Sequence, residues 1–288
     1  MIPMMNIIAW SQTAPWAETR QVEQDLIISR AIVQLFSDPV LRNQLRFRGG
    51  TALNKIHFPA PLRYSEDIDF VRTEAGPIGP VLDRIRSVLE PWLGRANFDQ
   101  SSVAPKLRFR VAAEDPATSA QIRLKVEINT AETQAYDPPC SVPFHVDNPW
   151  FAGAAEVYTF THEEMLATKL RALLQREKGR DLFDLAHALD VFETLNRTRL
   201  VECFNLYLES SNVRIARAEA EQRMLAKLRR PRFLDDLRPL LPATALDEFG
   251  DDSTQRAFLN VFTQLIAIIP GEPWARTEEV LKKYGMVV

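Results

Sequence analysis

The sequence contains little cysteine and lacks any long uninterrupted run of apolar residues. Its two cysteines, Cys140 and Cys203, lie far apart and match no spacing typical of a metal or redox site. We therefore expect reduced thiols in a cytoplasmic protein. The apolar segment MIPMMNIIAW contains no basic n-region of the kind that signal peptides have, and the charged residues Glu18 and Arg20 follow it closely. This pattern argues against a signal peptide and against a membrane span.

The chain also lacks a strong net charge and any internal repeat. A formal charge of −3 argues against a general polyanion binder, although it does not exclude a local basic track. With 46% hydrophobic and 25% charged residues, the composition is that of an ordinary globular protein. A length of 288 residues allows one large domain or two moderate ones.

Glycine is scarce, but two of its ten residues are adjacent in the segment RGGTALNKIHFPAPLRYSEDIDF, which begins at Arg48. Gly49, Gly50 and Thr51 predict a tight turn that opens a short helix, where backbone N–H groups can approach a phosphate. Asp67 and Asp69 alternate with apolar residues, so a strand would project both carboxylates from one face. Such a pair suits Mg²⁺, which takes its remaining ligands from water and substrate phosphates.

Each half of this pattern has an ordinary structural explanation. An isolated Gly-Gly is usually a turn, and an isolated Asp-x-Asp is usually a solvated strand end. The combination places both at neighbouring ends of a β-turn-α-β unit, and Arg63, Ser65 and Glu66 add charged and polar groups beside it. We therefore predict a site for a nucleoside triphosphate and a metal ion.

Hydrophobic periodicity divides the chain into a mixed first part and a helical second part. The irregular, proline-rich segment from Asp137 to Pro149 precedes the last predicted strand. We expect a domain boundary near Phe160, which gives a core over residues 1–160 and a helical domain over residues 161–288. The predicted elements of the first part are helices at 17–37 and 81–93 and strands at 45–48, 68–71, 106–111, 121–129 and 156–160.

Glu127 is the candidate for a third acid. It lies on the polar face of the strand Gln121 to Asn129, whose apolar residues alternate with charged ones. Polymerase-like sites commonly use such an acid beside the metal pair. The alternative is an ion pair with its neighbours Arg123 or Lys125.

A second group of charged residues lies in THEEMLATKLRALLQREKGRDLFDL. Lys169 lies beside an apolar helical stripe, where it could snorkel to solvent or reach a phosphate. Asp181 and Asp184 lie three residues apart near the start of the next helix. The alternative for this pair is a favourably charged helix start.

The order GGTALxK, RYSEDIDF, LKVEIN, LATKLRALLQR and RDLFDL resembles the AbiEii/AbiGii family of nucleotidyltransferase toxins, which includes the MenT enzymes. The resemblance runs from about Arg48 to Leu185. It implies an α+β fold, with a polymerase β-like core of mixed sheet and flanking helices followed by a helical domain. It also implies Mg²⁺-dependent transfer of a nucleotide from an NTP, growth inhibition controlled by an antitoxin, and, as in some members, the tRNA 3′ end as acceptor.

The resemblance also implies roles for individual residues. Gly49, Gly50 and Thr51 match the glycine motif, and Asp67 and Asp69 match the pair that holds one or two Mg²⁺ ions. Lys169 matches the motif lysine. Asp181 and Asp184 match the last motif, and Asp181 is expected to be the more critical of the two. Lys169 and Asp181 would both contribute to the cleft. We expect Arg63 and Ser65 beside the nucleotide, and Glu127 assisting the acceptor hydroxyl.

Two further hypotheses about the function are compatible with the sequence. A small-molecule nucleotidyltransferase of the antibiotic-modifying kind shares the same core, and an inactive homologue could keep the fold for partner binding. The run from Val213 to Arg232 contains seven lysines and arginines that could contact RNA phosphates, although a solvated helix face is the more common meaning. The Thr51 hydroxyl is expected to be exposed, where phosphorylation would repel a triphosphate.

Overall fold

The computed structural model describes residues 2–114, 121–230, 233–246 and 250–286. The chain forms two compact units. The N-terminal unit comprises Met1–Thr161 with Leu241–Ala243, and the C-terminal unit comprises His162–Leu240 with Thr244–Val288. Among the described residues, no helix is both long and apolar enough to cross a membrane.

The N-terminal unit contains seven strands and five helices in its described part. The helices are α1 (Met4–Trp10), α2 (Thr19–Ser37), α3 (Pro39–Gln44), α4 (Gly49–Ala52) and α5 (Gly79–Leu93). The strands are β1 (Leu45–Arg48), β2 (Asp67–Arg72), β3 (Asn97–Asp99), β4 (Lys106–Ala112), β5 (Gln121–Asn129), β6 (Cys140–Asn148) and β7 (Phe151–Thr159). A π-helical turn, Leu53–His57, continues α4.

The seven strands form one mixed sheet in the order β3-β4-β5-β2-β1-β7-β6. β2 pairs antiparallel with β1 and parallel with β5, so the two acidic positions of β2 each lie opposite a residue of β5. β1 pairs parallel with β7, whose other neighbour is the antiparallel edge strand β6. This mixed sheet with flanking helices confirms the α+β class expected from the sequence.

The core lies between α2 and the apolar face of the sheet. Phe36 of α2 meets Phe47 of β1 and Phe70 of β2, with ring centroids 5.7–6.5 Å apart. All three rings are almost fully buried, and burial of this much aromatic surface strongly favours the folded state. The apolar faces of the central strands are thus buried against α2, and their polar faces carry the charged residues described below.

The prediction of irregular structure from Asp137 to Pro149 is wrong over most of its length, because β6 occupies Cys140–Asn148. Pro143 lies opposite Glu156 within this strand. A proline cannot donate a ladder hydrogen bond, but an edge strand tolerates one. The sheet order, which sequence alone did not provide, removes the objection to a strand here.

The C-terminal unit is helical in its described part. Its helices are α6 (His162–Gln175), α7 (Gly179–Val191), α8 (Arg197–Glu209), α9 (Arg217–Lys227), α11 (Asp251–Gln264) and α12 (Thr277–Lys283), while the short α10 (Ala243–Leu246) begins at the division between the units. Two 3₁₀ turns, Arg238–Leu240 and Ile266–Ile268, complete the set. Buried leucines of α6 and α7 supply much of the core.

Candidate active site

The acidic residues of β2 and β5 lie next to one another on the polar face of the sheet. Asp67 pairs in register with Lys125, and Asp69 pairs with Glu127. Residues that lie opposite each other on neighbouring strands project to the same face, so these four side chains are adjacent on one face of the sheet. We call Asp67, Asp69 and Glu127 the acid cluster.

The glycine turn touches this cluster. Gly49 follows β1 with φ +87°, a conformation that favours glycine, and a β-carbon at this position would clash with the Asp69 carboxylate. The backbone of the turn therefore lies directly against the Asp69 carboxylate. No side chain among the described residues caps this end of α4, so its first N–H groups remain available for another acceptor.

Burial and neighbouring charge raise the pKa of Asp69 to about 6. Burial is the largest cause, and the adjacent negative charge of Asp67 is the next. The protein alone thus disfavours the charged form of Asp69. A divalent cation beside the carboxylate would favour that form.

Lys125 places a positive charge within the acid cluster. Its ammonium lies 2.9 Å from Asp67 Oδ2 and 3.1 Å from Glu127 Oε2. Burial works against the charged form, but the hydrogen bond and charge of Asp67, supported by Glu127, raise the pKa of Lys125. Lys106 lies 3.6 Å from Glu127 Oε2 as well. The ion-pair alternative for Glu127 is thus present in the structure, and its role as a third acid stays a prediction.

The donor set fits Mg²⁺ through its two aspartates. Within the described residues, no three acidic, histidine or cysteine side chains are grouped closely enough to hold a metal ion. Mg²⁺ commonly binds only one or two carboxylates and completes its shell with water and phosphate oxygens. The ammonium of Lys125 already occupies a cation position beside Asp67, which shows that the cluster attracts positive charge.

Thr51 is not exposed as expected, because only 1% of its surface is accessible. Its hydroxyl donates to the backbone carbonyl of Asp67 and lies 2.7 Å from Ser65 Oγ. The Thr51 side chain therefore fastens the glycine turn to the start of β2. What the turn can offer a phosphate is its backbone N–H groups.

Arg63 is buried rather than open to solvent, with 2% of its surface accessible. One guanidinium nitrogen donates to the Tyr64 carbonyl at 3.1 Å, and a β-carbon on Gly50 would lie 2.7 Å from another. Arg63 therefore lies against the glycine turn, and a side chain at position 50 would push against its guanidinium. Ser65 lies beside it, in contact with Thr51.

Asn54 also positions the turn, and sequence reasoning did not identify it. Its amide donates to the Gly50 carbonyl at 2.9 Å, and its side-chain oxygen accepts from the backbone N–H groups of Leu62 and Arg63. This one buried side chain ties the loop before β2 to the glycine turn. Its spacing of four residues from Gly50 on a helical segment is the signal that could have revealed it.

In the C-terminal unit, Lys169, Asp181 and Asp184 are brought together. The Lys169 ammonium lies 3.2 Å from Asp181 Oδ1 and 2.8 Å from Asp184 Oδ2, and both aspartates are fully buried. Arg176 adds a two-pronged contact, with its Nε 2.7 Å from Asp181 Oδ2 and a terminal nitrogen 2.8 Å from Oδ1. We call these four residues the lysine–aspartate network.

Charge outweighs burial at Asp181. Burial alone would raise the pKa of this carboxyl, but the positive charges of Lys169 and Arg176 hold it below its usual value. In this conformation the carboxylates and the ammonium satisfy one another.

Comparison with known proteins identifies the family. A model described as "Nucleotidyl transferase AbiEii toxin, Type IV TA system" matches residues 30–261, well over half of the chain. The comparison with curated proteins gave no match.

Two solved structures share the fold across nearly the whole chain. One is MenT4, a nucleotidyltransferase toxin from Mycobacterium tuberculosis H37Rv, at 18% identity and a TM-score of 0.59, covering 94% of this chain and 100% of that one. The other is JHP933 from Helicobacter pylori, at 19% identity and a TM-score of 0.51, covering 94% and 97%.

Proposed function

We propose that this chain transfers a nucleoside monophosphate from an NTP to an RNA acceptor. The chain belongs to the AbiEii family of type IV toxin–antitoxin nucleotidyltransferases, and this membership supports the proposal. The acceptor proposed is the 3′ end of tRNA, whose modification would stop translation and growth. The reaction would take place in the cytoplasm. The observation that carries the proposal is the contact between the glycine turn and the Asp67–Asp69 pair on β2.

Asp67 and Asp69 would hold one or two Mg²⁺ ions. When bound, Mg²⁺ supplies charge neutralisation at the reacting phosphorus and at the pyrophosphate that leaves. The N–H groups of Gly50 and Thr51 would donate to oxygens of the β- and γ-phosphates, at an end of a helical segment that favours anions. Arg63 and Ser65 would hold this turn in position through their contacts with it.

Glu127 would accept the proton from the attacking hydroxyl or orient that hydroxyl. Its carboxylate lies on the strand next to Asp69 and is partly exposed, so an acceptor can reach it. Lys125 and Lys106 both contact it in the structure. Release of one of these contacts would free an oxygen for the acceptor.

Lys169, Asp181 and Asp184 are proposed members of the catalytic set through the family motif. Lys169 would add a positive charge to the triphosphate, with Asp181 orienting it and Asp184 completing the nucleotide pocket. Because both aspartates bind Lys169 in the structure, the lysine side chain must exchange at least one contact to reach a phosphate.

Transfer can be tested by incubating the protein with each α-³²P-labelled NTP, Mg²⁺ and total RNA. The proposal predicts label at the 3′ end of RNA in the tRNA size range, removed by ribonuclease. The matched control is Asp67→Asn, which should leave RNA unlabelled. Label on small molecules in a parallel reaction with metabolite extract, and none on RNA, would contradict the acceptor.

A cognate antitoxin is the proposed partner. Expression of the wild-type chain should arrest growth, whereas expression of Asp67→Asn should not. Restoration of growth by co-expression of the neighbouring gene would identify the antitoxin. Equal arrest by both forms of the chain would show that nucleotidyl transfer is not the toxic activity.

A further inference from the structure

The polar face of β4 and β5 concentrates positive charge in a protein of net negative charge. Arg108 and Arg110 of β4 and Arg123 and Lys125 of β5 alternate with residues of the buried face, including Leu107 and Leu124. These four cations project to the same side of the sheet, and we call them the basic face.

The register of the two strands places like charges directly opposite each other. Arg108 pairs with Lys125, and Arg110 pairs with Arg123. Like charges at directly opposed positions destabilise a sheet. The side chains at these positions extend away from the core, so the packing of the sheet does not require this placement of charge.

Within the described residues, the charges of the basic face are paired with acidic side chains at one end and not at the other. Lys125 binds Asp67 and Glu127, and Arg108 lies 3.0 Å from Asp99. Arg110 and Arg123 are exposed, and no acidic side chain in the described part of the chain pairs with either guanidinium. The uncompensated charge thus lies at the end of the face that is farther from the acid cluster.

The basic face leads to the acid cluster. From the Arg110–Arg123 pair, a step of two residues along β5 reaches Lys125, which contacts Asp67. A two-residue step on a strand spans roughly 7 Å. A chain with regularly spaced anions that lies along these positions would bring its end to Asp67 and Asp69.

We infer that the basic face binds the phosphodiester backbone of the RNA acceptor and directs its 3′ hydroxyl to the acid cluster. This inference rests on the proposed function, since it names the surface that holds the acceptor. Arginine suits the role because its planar guanidinium donates to phosphate oxygens with two parallel N–H groups. Backbone contacts of this kind position an RNA without reading its sequence.

The basic run from Val213 to Arg232 is the other candidate for contacts with RNA phosphates, but most of its described cations already bind acceptors within their own unit. Arg217 and Arg223 bind Glu221 and Glu219, Lys227 donates to the Arg176 carbonyl, and Arg230 pairs with Glu177. Arg214 and Arg229 are exposed and have no acidic partner in the described part of the chain, and Arg232 lies outside the described residues. These two exposed arginines make a matched control.

The test compares two double variants that each remove two positive charges. One is Arg110→Gln with Arg123→Gln on the basic face, and the other is Arg214→Gln with Arg229→Gln on the C-terminal unit. Binding of a fluorescein-labelled single-stranded RNA of about 12 nucleotides is followed by anisotropy over a series of salt concentrations. Melting temperature is recorded for each variant.

The basic-face variant should bind RNA at least about fivefold more weakly at low salt, and its salt slope should fall by about 1.4, the value for two lost phosphate contacts on a single strand. The KM for RNA should rise while the KM for NTP stays the same. Its melting temperature should hold or increase, because a like-charge pair is removed. The control should change binding less than about twofold.

An unchanged salt slope in the basic-face variant, with RNA labelling by the wild type intact, would overturn the inference and leave the proposed function standing. A loss of binding confined to the control would assign the RNA to the C-terminal unit and would also overturn it. A wild-type protein that neither binds nor labels RNA would refute the proposed acceptor together with the inference.

Discussion

The acid cluster and the lysine–aspartate network contain the same kinds of residues in opposite physical states. The cluster is partly exposed, and its one central ammonium does not prevent the pKa of Asp69 from rising to about 6. In the network, two fully buried aspartates face Lys169 and Arg176, and the pKa of Asp181 is lowered. The first arrangement retains a need for positive charge, whereas the second is internally neutral.

This difference separates two ways in which a group of charges serves a protein. An electrostatically unsatisfied, accessible cluster is suited to a cation that arrives with a substrate. A satisfied, buried network holds helices together, and any further role requires that one of its contacts opens first. Function and stability should therefore respond differently to mutation in the two places.

The largest expected effect is on activity in the acid cluster. Asp67→Asn and Asp69→Asn should each reduce nucleotide transfer by more than about 100-fold, since loss of a direct metal ligand exceeds the ~10–100-fold effect of losing a ligand's supporting partner. Initial rates of RNA labelling measure this effect. Asp83→Asn, which changes an exposed carboxylate on α5, is the control and should keep its activity. Comparable rates in Asp67→Asn and wild type would remove the cluster from the mechanism.

In the network the main effect should be on stability. Asp181→Asn leaves Lys169 and Arg176 facing a neutral amide in a buried position, and we expect a loss of about 3–5 kcal/mol in the free energy of unfolding. Urea denaturation measures it. Adding both Lys169→Met and Asp184→Asn to Asp181→Asn should recover part of the loss, because the buried ammonium and its second carboxylate partner are then removed together. If the single variant is as stable as wild type, the network does not hold the C-terminal unit together.

Part of that stabilisation depends on pH. A carboxyl whose pKa is lower in the folded than in the unfolded state stabilises the fold above its unfolded pKa of about 3.8, and this contribution disappears as the pH falls through the folded value. The difference in the free energy of unfolding between wild type and Asp181→Asn should thus become smaller as the pH falls from 7 to about 3. Urea titrations at both pH values test this, and a constant gap would show that Asp181 is not held ionised by its partners.

A smaller effect is expected where the glycine turn meets the cluster. Gly49→Ala forces a side chain into a left-handed conformation, at a cost of about 1–2 kcal/mol, and pushes against the Asp69 carboxylate. Transfer activity should fall although the protein stays folded. Gly94→Ala has a similar positive φ but open space around the new β-carbon, so it should lose stability without losing activity. Equal activity in both variants would separate the turn from the site.

The smallest effect on stability should come from Lys125. Its ion pairs are partly exposed, so Lys125→Met should lower the free energy of unfolding by less than about 1 kcal/mol. Removal of this competing cation should tighten Mn²⁺ binding by about fivefold or more. Isothermal titration with Mn²⁺ measures this. Lys106→Met serves as control, because the ion pair of Lys106 in the described part of the chain is with Glu127 and not with Asp67. Weaker Mn²⁺ binding in Lys125→Met would show that the lysine supports metal binding.

Sequence reasoning succeeded where a local pattern decides the outcome. The alternation along Gln121–Asn129 predicted the bounds of β5, and the apolar residues around Asp67 and Asp69 predicted a strand that projects both carboxylates from one face. The family motifs predicted the α+β fold, since they carry information that one sequence does not contain by itself.

What sequence reasoning missed depends on the order of strands in the sheet. Lys125 lies beside Asp67 because β2 pairs with β5, although α5, β3 and β4 come between them in the chain. The burial of Thr51 likewise depends on the carbonyl of Asp67, sixteen residues away. Pro143 argued against β6 until the strand proved to be at an edge. Long-range neighbours of this kind cannot be obtained from periodicity.

The most direct test of the account is a crystal structure with Mn²⁺ and a nonhydrolysable NTP analogue, in which anomalous scattering locates the metal. We expect the Mn²⁺ peak between the carboxylates of Asp67 and Asp69, with the triphosphate against the backbone N–H groups of Gly50 and Thr51. A metal peak bound elsewhere on the chain, with the triphosphate away from the glycine turn, would contradict the central claim.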